Sequence, residues 1–166
     1  MSTVALLFFP AAMAIAASSD LLTMKISNTL VLLLVAGFFV IALAISLPLE
    51  QVAMHLACAV LVLTVGFALF AMGWIGGGDA KLAAATTLWL GFGLTVPYLV
   101  NAALLGGALT LVILALRRLP LMPMLARWTW LARLHDSKTG VPYGIALAIA
   151  GLLTYSNSAI FQTLSV

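Results

Sequence analysis

Long runs without a charged residue set the pattern of this chain. Residues 2–19 contain no Asp, Glu, Lys or Arg, and residues 26–49 form a second such run, closed by Pro48 and Glu50. Residues 51–78 make a third, which ends in a glycine cluster, and residues 141–166 make the last. At 1.5 Å rise per residue, about 20 apolar residues cross a bilayer as a helix, so each of these runs predicts one crossing. Runs of this length exclude barrel strands, and helices satisfy their backbone groups internally in lipid.

The stretch 82–116 is also uncharged, too long for one crossing and short for two. Gly91, Gly93 and Pro97 near its middle predict a tight turn. Charge placement decides between the two readings. One crossing would put the five bases Arg117, Arg118, Arg127, Arg133 and Lys138 opposite Lys25 and Lys81. Two crossings put all seven on one side. The expected helices are therefore near 80–96 and 98–116. Together they predict an all-α polytopic membrane protein with six transmembrane helices, a single membrane-embedded domain over residues 1–166. Both termini are expected outside, and segments 20–27, 75–81 and 117–140 in the cytoplasm. In the last segment, Leu121, Met124, Trp128 and Leu131 fall near helical spacing, which fits either an interfacial amphipathic helix or a loop with membrane-belt aromatics.

Composition agrees. The chain is 65% hydrophobic and 7% charged, whereas a soluble domain is about 45–50% apolar and about 25% charged. The seven bases flank apolar segments and form no soluble patch, so nucleic acid is not an expected partner. The Ala-rich N-terminus lacks the basic region of a signal peptide and reads as a first span. Cys58 is the only cysteine, so no CxxC metal or redox pair exists and no metal is expected. Cys58 reads as a packing residue, His55 as a membrane-edge or packing residue, His135 and Asp136 as solvated loop, and Gly106-Gly107 as a close helix contact.

Two acids remain. Asp20 ends the first span and Asp79 begins the fourth, which places both at one membrane boundary. Acids there are costly and usually face a bundle interior or a watery cavity. Two carboxylates brought close together share a proton, so that one can deprotonate a water while the other protonates or polarises a carbonyl. The plain alternative is that each merely pairs with Lys25 or Lys81. The glycines Gly76, Gly77 and Gly78 before Asp79 would let the backbone bend and lie against an extended peptide, as in strand addition. No Gly-x-x-x-x-Gly-Lys-Ser/Thr follows them, which argues against a phosphate loop.

Gly76-x-Gly78-Asp79 is similar to the GxGD signature of membrane aspartyl proteases. The longer segment Gly76-Gly77-Gly78-Asp79-Ala80-Lys81-Leu82 resembles that of type IV prepilin peptidases. Asp20-Leu-Leu-Thr-Met-Lys25-Ile26-Ser27-Asn28 resembles their upstream acid motif, with Ser27 where proline is usual and Lys25 where arginine is common. Val141-Pro142-Tyr143-Gly144 is similar to the sequence that opens the last helix of the short members, which serve tight-adherence (Flp) pili. The resemblance implies catalysis by Asp20 and Asp79, with Gly76, Gly77, Gly78, Lys81, Lys25 and Asn28 near the substrate. It implies no cofactor. The substrate would be a prepilin or pseudopilin cut at the cytoplasmic face of the bacterial inner membrane. The CxxC domain that larger members use for N-methylation has no counterpart, so methyl transfer is not expected. Asn28 also reads as a cap for the second span. The rival reading is a non-enzymatic transporter or assembly subunit with the two acids as proton or ion sites.

Overall fold

The computed structural model describes residues 2–122, 124 and 127–165. Among them are eight helices: α1 (Ser2–Thr23), α2 (Asn28–Ala44), α3 (Leu49–Ala71), α4 (Gly77–Leu90), α5 (Phe92–Arg117), α6 (Thr129–His135), α7 (Gly144–Tyr155) and α8 (Ala159–Ser165). Three stretches are long and apolar enough to cross a membrane: Thr3–Thr23, Leu49–Ala71 and Phe92–Arg117. A fourth crossing is available if α7 and α8, bent by 54°, are taken as one broken span. The chain is thus an all-α, multi-pass membrane protein. Helix length does not establish six crossings. α2 has 17 residues and α4 has 14, about 26 and 21 Å at 1.5 Å per residue, against a hydrocarbon core of about 30 Å.

The shortness of α4 has a local cause. The 82–116 stretch does divide, but at Gly91 and not around Gly93–Pro97. Gly91 has φ 70° and ψ 178°, a region essentially reserved for glycine. Its amide donates to the Thr87 carbonyl at 2.8 Å, closing α4. Pro97 instead lies inside α5, where the missing N–H costs one ladder bond that a packed bundle tolerates.

The end of α3 also comes earlier than residue 78. Gly73 takes φ 75°. Its amide bonds to the Phe70 carbonyl at 2.9 Å, and that of Trp74 to Leu69 at 3.0 Å, a Schellman stop. The freed segment 72–76 delivers Asp79 to the start of α4. At α2 the cap is Ser27, not Asn28: its hydroxyl accepts from the Thr29 amide at 3.1 Å. The serine in the usual proline position therefore does the capping itself. The 121–131 stripe does not share one helix, because Trp128 is the extended N-cap of α6, and only Leu131 of the four apolar positions lies within that helix.

α4 is the central helix. Every residue from Ala84 to Leu90 is buried, as expected of a helix that is apolar on all sides. Trp89 packs against Phe8, Phe9, Phe38 and Tyr155, and its indole N–H donates to the Leu34 carbonyl at 3.1 Å. His55 is buried with Nδ1 2.7 Å from the Leu88 carbonyl, and Cys58 lies 3.0 Å from the Thr95 hydroxyl. Both are packing residues, as read from the sequence.

Candidate active site

Asp20 occupies the last turn of α1 and is only 5% exposed. The Gly144 amide, at the first residue of α7, donates to its Oδ2 at 2.7 Å. A carboxylate at a helix N-terminus takes up an amide that the helix itself cannot satisfy. Asp79 sits in the first turn of α4, three residues past the N-cap Gly76. Its carboxylate lies close against the Gly76 backbone.

Each acid also lies over a glycine that has no room for a side chain. A Cβ on Gly144 would fall 2.8 Å from Asp20 Oδ2, and one on Gly76 would fall 2.7 Å from Asp79 Oδ2. Glycine at these two positions therefore lets backbone and carboxylate meet.

Both acids line one cavity of about 830 Å³, whose wall includes Trp74, Gly76, Arg133, Thr139 and Tyr143. Burial, and then the neighbouring Asp20 charge, push the Asp79 carboxyl up to about 6. No lysine charge is among the causes acting on it. The Lys81 amine instead donates to Asn28 Oδ1 at 3.0 Å, tying the start of α4 to the start of α2.

Arg133 lines the same cavity, and Arg117 outside it holds the segment that carries Thr139 and Gly140. Arg133 donates to the Leu22 carbonyl at 3.0 Å, a free acceptor at the end of α1. Arg117 spreads its guanidinium over the carbonyls of Leu134, Thr139 and Gly140 at 2.9, 3.1 and 2.9 Å. That fork geometry suits arginine and not lysine, and it fixes the strand of chain that leads to Gly144.

Of the residues expected near substrate, Gly76 lines the cavity. Gly77 lies against the Phe70 ring and Gly78 against Ile26, each at 3.3 Å from a notional Cβ. Lys25 is exposed, and its carbonyl accepts from the Ser19 and Thr23 hydroxyls at 3.0 and 3.3 Å. Lys25, Asn28, Gly77, Gly78 and Lys81 stand outside the cavity wall. Gly144, Arg117 and Arg133 were not singled out as site residues. The sequence signal for Gly144 was its motif, whereas nothing in the pattern distinguished the two arginines from the other loop bases. Among the described residues no cluster of three or more His, Cys, Asp or Glu side chains is arranged to hold a metal.

The fold is a helical membrane bundle with two carboxylates in the wall of one cavity. The sequence profile of the type IV leader peptidase family matches residues 7–111, a stretch that includes both acids and more than half of the chain. The protein belongs to that family and is a prepilin leader peptidase in kind. No curated protein sequence and no solved structure matches the chain.

Proposed function

We propose that the protein is an aspartic endopeptidase that removes the basic leader of Flp-type prepilins at the cytoplasmic face of the bacterial inner membrane. The observation that carries this reading is that Asp20 and Asp79 line the same cavity, Asp20 with the Gly144 amide on its carboxylate and Asp79 against the Gly76 backbone. With one proton between them, one acid takes a proton from the attacking water while the other gives one to the peptide carbonyl. The pair titrates as a unit, so base and acid are roles of the pair. The substrate's apolar helix, lying in the bilayer, brings the scissile bond to the membrane boundary. Gly76 leaves backbone exposed at the cavity wall for the cleaved strand. Six crossings, with all seven bases inside, put the cavity on the cytoplasmic side.

Leader removal proceeds without N-methylation in this reading. Cys58, the one cysteine of the sequence, is buried in the bundle, so these residues supply no CxxC pair. Co-expression with a Flp-type prepilin, followed by mass spectrometry of the mature N-terminus, tests both parts. The expected product has lost its leader and carries an unmodified amine. An uncut prepilin overturns the peptidase assignment, and a methylated product overturns the second part.

A further inference from the structure

An apolar groove of about 360 Å³ opens beside the catalytic cavity, and the two share Ile75, Asp79 and Tyr143 in their walls. One side of the groove is a stripe of α3, Leu61, Val65 and Leu69; the other is a stripe of α5, Leu99 and Ala103. Its floor is Ala80 and Ala83 of α4. The spacing of four along each wall keeps one helix face on the groove. From Leu61 to Leu69 it runs about 12 Å at 1.5 Å per residue. Leu61, Val65 and Leu99 are exposed, so the groove is open sideways. The Thr95 hydroxyl in its wall is already bonded to the Gly91 carbonyl at 2.8 Å. The groove thus offers alanine-floored apolar packing that ends at a carboxylate.

We propose that this groove seats the apolar helix that follows the scissile bond of the substrate. The proposal rests on the peptidase reading above. A peptide bond held at Asp79 leaves its downstream chain at the mouth of the groove. The direction away from Asp79 along Ala80 and Ala83 is the direction in which a helix can bury its side chains. Small residues on the floor let two helices approach closely, as transmembrane helix pairs require. A second apolar groove, lined by Val4, Leu33 and Val40 among others, has no residue in common with the catalytic cavity. That second groove serves as an internal control.

The experiment pairs cleavage with cross-linking. Ala103→Phe fills the groove, while Ala108→Phe places the same bulk on α5 outside its wall. Both alanines are exposed, so neither change burdens folding. Ala103→Phe should slow leader removal by about tenfold or more and Ala108→Phe by less than about twofold, a difference of about 1 kcal/mol in the barrier. In an Asp20→Asn background that retains substrate, Ala103→Cys should form disulfides with single cysteines placed along the substrate helix, with helical periodicity. Val40→Cys should not. Equal cleavage by the two phenylalanine variants, or equal cross-linking at 103 and 40, would overturn the groove as the docking site and leave it to lipid. Disulfides between two copies of the enzyme at residue 103 would overturn it in favour of self-association. If wild-type enzyme leaves the prepilin uncut, the peptidase reading fails and the groove fails with it. If wild type cuts and the pattern is absent, the groove alone fails.

Discussion

The Gly144 amide donates to Asp20 Oδ2 at 2.7 Å across 124 residues of sequence. This bond joins the end of the first helix to the start of α7, with no room for a methyl group between them. Gly144→Ala should therefore displace the Asp20 carboxylate or lose the bond. A hydrogen bond to a charged group contributes about 1.5–3 kcal/mol, which corresponds to roughly a 10- to 100-fold loss of rate if the bond persists in the transition state. Cleavage rate measured alongside melting temperature in detergent checks this. A normal rate for Gly144→Ala would show that the contact does not position the acid.

Three glycines around the site should rank by what a side chain would meet. Gly76→Ala places a Cβ 2.7 Å from Asp79 Oδ2, whereas Gly78→Ala meets Ile26 at 3.3 Å and Gly73 has no neighbour within 4 Å. Gly76→Ala should depress cleavage strongly and Gly78→Ala mildly. Gly78→Val should lower the melting temperature, since branching drives into Ile26. Gly73→Ala should cost about 1 kcal/mol of stability for its positive φ and leave the rate nearly unchanged. Equal activity losses at all three positions would contradict this ranking.

Asp79 gives the native state a pH dependence. Its carboxyl is raised from 3.8 to about 6, first by burial and then by Asp20. Below 3.8 native and unfolded chains both hold the proton. As pH rises from there to about 6, the unfolded chain releases it first. Wild type should therefore lose stability relative to Asp79→Asn over that window and level off above it. Melting curves of the two proteins across the window test this. A constant difference would mean that Asp79 is not perturbed.

Arg117→Lys should loosen the chain from Leu134 to Gly140, because an ammonium cannot reproduce the fork across three carbonyls. The expected sign is faster proteolysis in that segment and about a tenfold or smaller loss of cleavage rate, with the helices still assembled. Unchanged proteolysis would sink this role for Arg117.

Much of this architecture was legible in the sequence because a bilayer imposes a coarse rule. Charge-free runs gave the helices, and the few acids drew attention to Asp20 and Asp79. Where the reading slipped, the deciding signal was backbone conformation. Gly91, Gly93 and Pro97 all look like breakers, yet only Gly91 adopts a positive φ, and a proline within α5 costs too little to stop a packed helix. Asn28 looked like a cap until Ser27 took the role one residue earlier. The Gly144–Asp20 contact and the Arg117 fork pair residues far apart in the chain, and a single sequence carries no local pattern for such pairs.

The central claim is that Asp20 and Asp79 act as one catalytic pair, and leader removal by Asp20→Asn, Asp79→Asn and the double variant tests it most directly. Each amide is nearly isosteric with the acid, so membrane insertion and helical content should persist. The expected result is that each single change abolishes cleavage of a co-expressed prepilin. The double variant should be no worse than either, because residues that act as a unit are non-additive. Substantial leader removal by either well-folded single variant would contradict the account.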